Sequence, residues 1–282
     1  MNLEHKKLRI ATLNTLNNPK LLSERAELIV NELRVIQPDI ISFQEVLKGT
    51  SFNLPAFVQK ELGLAGYAFG DHVKSKYEGV NFGNVILSKT PIESSRSLGT
   101  ATSESNEIPS LAISTTVRDQ KVEIINVHFA WGGNAESART QQAILADRYA
   151  RRAREAKPGA MVLITGDFNA EPDSDTNRYL NGKTSMGISS TLWTDAWDTA
   201  GQLDEEDTVR IDNEFAKTTA QDVGIAYPEM MPQRRIDYIK AYGFTYGRTG
   251  SPLLCRRWAT SEGKSNLTIS DHFGLYADFL MV

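Results

Sequence analysis

Four stretches spread over most of the chain each end in, or enclose, acids, amides or an imidazole. They are Asp39-Ile40-Ile41-Ser42-Phe43-Gln44-Glu45, Val162-Leu163-Ile164-Thr165-Gly166-Asp167-Phe168-Asn169, Arg235-Ile236-Asp237-Tyr238-Ile239 and Ser270-Asp271-His272. Each polar group follows or sits within a β-branched run, which reads as a strand. Polar groups at strand ends are held where a rigid sheet presents chemistry. Four such ends imply a fold that brings distant strands to one place.

The remaining segments fit around those strands. Leu8 to Leu13 alternates as a strand and ends at Asn14. Apolar residues at helical spacing predict a helix over Leu21 to Ile36, stopped by Pro38. A second helix is expected over Ala56 to Leu62 and a long one over Ala135 to Glu155, stopped by Pro158-Gly159. Asn84 to Leu87, Leu111 to Val117, Val122 to Val127, Met161 to Thr165, Ile236 to Ala241 and Gly274 to Leu280 read as further strands. The short gap between Val117 and Val122 predicts an antiparallel hairpin. Hairpins mixed with helical crossovers imply a mixed sheet core with helices outside. No linker or repeat interrupts the pattern, so one domain over 1–282 is expected. Little structure is legible from Gly182 to Gln233.

The 282 residues suffice for a sizeable core. No apolar run approaches the roughly 20 residues of a membrane helix. The polar N-terminus lacks a secretory apolar stretch, so a cytoplasmic location is the expectation. A lone cysteine, Cys255, excludes an internal disulfide and reads as structural. The net charge of −4 gives no global basic footprint for tracking nucleic acid. Local basic clusters exist at Arg148, Arg151, Arg152 and Arg154, at Arg234 and Arg235, and at Arg248, Arg256 and Arg257.

Glu45 follows a buried apolar run, where a carboxylate is costly unless paired or bound to a cation. Oxygen donors suit Mg²⁺ or Mn²⁺; a buried salt bridge is the alternative. Asp167 and Asn169, two apart, share a face in extended chain and together can hold a water or a phosphoryl oxygen. An Asx-type turn closing the strand is the alternative. His128 ends its strand with Asn126 on the same face. The loop Phe129-Ala130-Trp131-Gly132-Gly133 beyond it lets the ring face a cleft, unless it is simply a satisfied core histidine. His272 titrates near neutrality and needs a carboxylate to hold its tautomer. Adjacent Asp271 points away if extended, which favours Asp237 as partner and leaves Asp271 for a metal or water. No Walker loop, zinc spacing or Gly-x-Ser-x-Gly elbow is present.

Taken in order, Thr12-Leu13-Asn14, Phe43-Gln44-Glu45, Gly83-Asn84-Val85-Ile86-Leu87-Ser88, Asn126-Val127-His128, Gly166-Asp167-Phe168-Asn169, Arg235-Ile236-Asp237-Tyr238 and Ser270-Asp271-His272 resemble the endonuclease/exonuclease/phosphatase superfamily. The resemblance runs from Ile10 to about Asp278. It implies an α/β (α+β) four-layer sandwich, two mixed β-sheets face to face with helices outside, and metal-dependent phosphoester hydrolysis. It further implies Mg²⁺ or Mn²⁺ on Glu45 with Asn14 and Asp271 near it. Asp167 would orient or activate the attacking water, and Asn169 and His128 would hold the phosphate. His272 paired with Asp237 would act as base or transition-state stabiliser. Asn84 and Arg139, the latter with Gln142, would support the site from behind.

Departures bear on the subfamily. No Thr follows Glu45, as it does in repair endonucleases of the exonuclease III type, and Asn169-Ala170-Glu171-Pro172 replaces the 5-phosphatase continuation. In DNase I-like members a Glu supports the phosphate-site histidine, and Glu78 is its nearest counterpart. With the acidic balance, these features point to a small-molecule or lipid-like phosphoester. Nucleic acid is admitted but not favoured, a DNA nuclease being the alternative and a non-catalytic binding protein a more distant one. Substrate choice is expected in Trp131-Gly132-Gly133 and in Tyr227 to Pro232.

Overall fold

The computed structural model describes residues 6–100, 107–202, 205–222, 224–263 and 267–282. Two mixed six-stranded sheets pack face to face. The first contains Lys7–Asn14 (β1), Ile40–Lys48 (β2), Gly66–Lys74 (β3), Asn81–Ser88 (β4), Pro252–Trp258 (β11) and Gly274–Leu280 (β12). Their order is β11-β12-β1-β2-β4-β3. The second contains Ile92–Ser97 (β5), Leu111–Val117 (β6), Gln120–His128 (β7), Met161–Asp167 (β8), Trp193–Asp195 (β9) and Asp237–Tyr242 (β10). Their order is β5-β6-β7-β8-β10-β9.

Alternation along each strand builds the layers. Leu8, Ile10, Ile40 and Ile86 of the first sheet meet Ile113, Ile124, Leu163 and Ile239 of the second in one buried core. The intervening residues face outward under helices. Leu22–Ile36 (α1) and Leu54–Leu62 (α2) cover Ala11, Leu13, Ile41 and Phe43. Glu136–Ala156 (α3) and Asp175–Leu180 (α4) cover Ile125, Val127, Val162 and Ile164. Helix α2 starts two residues before the sequence expectation because Asn53 caps it, its side chain accepting from Ala56 N. Cys255 is fully buried, and burial pushes its thiol up, away from reactivity.

The segment that was illegible in the sequence holds β9, Ala196–Ala200 (α5), Glu214–Asp222 (α6) and a single turn at Pro228–Met230. Among the described residues no helix is long and apolar enough to cross a membrane.

Candidate active site

The inter-sheet layer changes from apolar to polar along its strands. On β1 the inward residues run Ile10, Thr12, Asn14; on β2, Ile40, Ser42, Gln44; on β7, Ile124, Asn126, His128; on β8, Leu163, Thr165, Asp167. Parallel pairing sets Asn14 beside Gln44 and His128 beside Asp167, while antiparallel β10 sets Asp237 opposite Asp167. One end of the sandwich therefore collects the polar ends of both sheets. The buried amides hold the sheets together there. Asn126 Nδ2 donates to Phe43 O at 2.8 Å and Val85 O at 2.9 Å, while its Oδ1 accepts from Gln44 Nε2 at 2.7 Å.

Glu45 would face outward in an unbroken strand, next to inward Gln44. A bulge between Phe43 and Val46 and a left-handed backbone at Glu45, φ 57°, redirect it. Its Oε1 then lies 3.1 Å from Asn14 Nδ2, and Asn17 N donates to its Oε2 at 2.6 Å. Left-handed backbone is uncommon for a residue with Cβ. Asn169 shares that conformation at φ 49°. Its N–H donates to Asp167 Oδ1 at 2.8 Å and its Nδ2 to Phe129 O at 3.0 Å, an Asx-type closure that joins two strand ends. Gly166 is required between them: at φ 131° a Cβ would collide with Val127 O on β7.

Asn14 Nδ2 also donates to Asp167 Oδ2 at 3.1 Å. Leu16 N donates to Asn14 Oδ1, so the amide nitrogen faces the two carboxylates. His128 Nε2 stands 3.7 Å from Glu45 Oε1 and 3.6 Å from Asp167 Oδ2. Its Nδ1 is buried with no partner among the described residues, so exposed Glu78 does not support it. His272 Nδ1 pairs with Asp237 Oδ2 at 2.8 Å, leaving Nε2 3.8 Å from Asp167 Oδ2. Burial alone would push His272 down, but Asp237 and Asp167 hold it well above the ordinary imidazole range. Asp271 accepts from Ser270 Oγ at 3.1 Å and Thr219 Oγ1 at 2.9 Å.

Asp167, Asp237 and His272 offer ligand atoms within 4.8 Å of one another, a cluster able to hold a divalent cation. Glu45 extends the acidic set through Asn14. Two carboxylates on one amide nitrogen repel each other, and a hard cation with oxygen ligands fits that excess.

The supporting residues sit farther out. Asn84 is buried and donates to Pro109 O at 3.1 Å. Arg139 Nη1 takes both Ala130 O and Gly132 O, and Gln142 Oε1 accepts from Ala130 N, so the pair clamps the loop after His128.

Two contributors gave no signal in the sequence. Buried Thr208 accepts from Ile236 N and Asp237 N through its hydroxyl and from Phe273 N through its carbonyl, joining β10 to the His272 loop. Buried Arg25 on α1 donates to the carbonyls of Thr15, Asn18, Lys20 and Ile269. It ties the loop after Asn14 to the loop before Asp271. Burial brings its guanidinium down to about 10, with Asp271, Tyr77 and Glu45 pulling the other way.

A family profile described as "Endonuclease/Exonuclease/phosphatase family" matches residues 11–272. No curated protein matches the sequence. Among solved structures, truncated Caenorhabditis elegans TDP2 is similar at 19% identity and TM-score 0.73, covering 99% of this chain and 100% of that one. D. rerio TDP2 complexed with single strand DNA product is similar at 20% identity and TM-score 0.69, covering 97% and 98%. An endonuclease/exonuclease/phosphatase from Bacteroides vulgatus is similar at 20% identity and TM-score 0.69, covering 98% and 99%. At these identities the structural likeness is one of fold.

Proposed function

The chain belongs to the endonuclease/exonuclease/phosphatase family and is a metal-dependent phosphoric ester hydrolase, and from that premise we propose that it cleaves a phosphoester of single-stranded nucleic acid. The observation that carries the substrate is the D. rerio TDP2 structure, which shares this fold along nearly the whole chain and holds a single strand DNA product. The expectation of a small or lipid-like substrate, with nucleic acid not favoured, is therefore withdrawn. A net charge of −4 is a sum over the whole surface. Phosphate affinity is local, set by groups that touch the backbone, and a cation held by the acidic cluster reverses the sign where it matters.

In this reading Glu45 and Asp167 hold the cation, Mg²⁺ or Mn²⁺, with Asp271 nearby. The Asp237–His272 side keeps its own hydrogen bond and is less suited to ligation. When bound, such an ion neutralises developing phosphoryl charge and makes water a better nucleophile. Asn14 keeps the two carboxylates apart and oriented. His128, with Nε2 turned to the same point, donates to a non-bridging phosphate oxygen. Asp167 orients the attacking water. His272, fixed by Asp237 through Nδ1, presents Nε2 to hold or move a proton. Asn169 fixes the rim by tying Asp167 to Phe129.

The test is a substrate panel with Mg²⁺ and with EDTA: end-labelled single-stranded oligonucleotide, sphingomyelin, inositol phosphates and nucleotides. Metal-dependent shortening of the oligonucleotide, lost in Glu45→Ala and His272→Ala, is expected. Turnover of a lipid or inositol phosphate with the oligonucleotide left intact would refute the substrate assignment.

A further inference from the structure

We propose that Trp131 is a stacking platform for an unpaired base beside the scissile phosphate; this rests on the nucleic-acid reading of the site. The chain has four tryptophans. Trp193, Trp197 and Trp258 are buried, whereas Trp131 is 61% exposed. An indole left in water on a surface loop forgoes the burial that its large apolar area would normally gain.

The loop that carries it is built to hold still at the mouth of the site. Phe129, two residues before Trp131, donates its N–H to Asp167 O and accepts from Asn169 Nδ2 through its carbonyl. The carbonyls on either side of Trp131, those of Ala130 and Gly132, both accept from Arg139 Nη1, at 3.0 and 2.7 Å. Gln142 Oε1 takes Ala130 N at 2.8 Å, and Glu136 Oε2 fixes Arg139 Nε at 2.9 Å. Buried side chains of α3 therefore pin the backbone on both flanks of an exposed indole. Such preorganisation of the backbone lowers the entropy lost on binding.

An exposed ring on a backbone pinned three residues from His128 offers a flat face to a base whose phosphate lies in the acidic cluster. Stacking needs no particular base, since every base has a π-face. A paired base is already covered by its duplex neighbours, so the platform favours single strands.

The experiment uses pairs of end-labelled single strands, the members of each pair identical except for one abasic residue, which is placed in turn at each nucleotide flanking the cleaved linkage. The wild-type protein is expected to favour the base-bearing strand about tenfold in kcat/KM, mainly through KM. Trp131→Ala should remove the preference and Trp131→Phe keep most of it. A Trp131→Ala protein that retains the wild-type ratio overturns the proposal, as does a wild-type protein that cuts both strands equally. Failure of the wild type to cut either strand, with turnover of another phosphoester, overturns the nucleic-acid reading itself and this proposal with it.

Discussion

Strand β10 separates two buried charge clusters, and they differ in balance rather than in burial. On its outer face Lys240 Nζ meets Asp195 Oδ2 at 2.5 Å and Asn181 Oδ1 at 3.0 Å. Arg235 bonds Asp195 at 3.3 Å and Asp198 at 2.7 Å, and both cations lie over the Tyr238 ring. Burial pushes Asp195 up, but Lys240 and Arg235 outweigh it and hold the carboxyl below its ordinary range. Three residues back along the same strand, Asp237 points inward to Asp167 and His272. There burial pushes Asp237 up, opposed by His272 and reinforced by Asp167. The outer cluster is closed: each charge has its counter-charge within hydrogen-bond reach. The inner one carries an excess of acid, which a further cation would balance. Buried charge alone therefore does not mark a functional site; uncompensated sign does.

That contrast fails if both clusters respond alike to mutation. The largest expected effect is on turnover: His272→Ala should lower kcat per folded molecule on the order of a thousandfold. Retained activity in that variant would remove the inner cluster from the chemistry. Lys240→Met should do the reverse. It strips Asp195 of its closest cation, so urea denaturation should show a loss of about 3 kcal/mol, with kcat per folded molecule unchanged. A stable Lys240→Met protein would mean that the outer cluster is not the structural one.

The acid excess should also appear as metal-linked stability. Mg²⁺ at a hundredfold over its dissociation constant is expected to stabilise the wild type by about 2.7 kcal/mol, read as a rise in melting temperature. Glu45→Gln should abolish that rise and melt slightly higher than the wild type in EDTA, because one repelling charge is gone. An undiminished Mg²⁺ response in Glu45→Gln would place the ion elsewhere.

The smallest effect concerns pH. Asp237 and Asp167 raise His272 above its unfolded value of about 6.5. A group raised on folding contributes stability that is fully present below the unfolded value and lost as pH rises through the folded one. Metal-free protein should therefore lose stability on the alkaline side of neutrality. Asp237→Asn should flatten that decline, and an equally steep decline in the variant would assign it to another group.

The pattern of what was legible follows the sheet order. The eight interior strands, β1, β2, β4, β6, β7, β8, β10 and β12, all read as strands from their apolar runs. The four that gave no clear signal, β3, β5, β9 and β11, are the four sheet edges. An edge strand is covered less completely, so its residues mix: β5 reads Ile-Glu-Ser-Ser-Arg-Ser, mostly exposed, and β9 has only three residues. The segment from Gly182 to Gln233 stayed illegible for a related reason. Its helices α5 and α6 have only five and nine residues, and residues such as Thr208 are fixed by bonds to distant backbone, which leaves little local period to detect.

By itself the sequence determined which strands carry inward acids, amides and imidazoles at their ends, because side-chain alternation and the apolar-to-polar gradient are local properties of each run. The tertiary structure alone decided how those ends meet. The bulge and left-handed backbone at Glu45 turn its carboxylate inward. Leu16 N turns the Asn14 amide nitrogen toward that carboxylate. Arg139 props the Trp131 loop at the rim. Each depends on a distance between groups far apart in the chain, or on a backbone angle set by them, and neither quantity is written in any single stretch of residues.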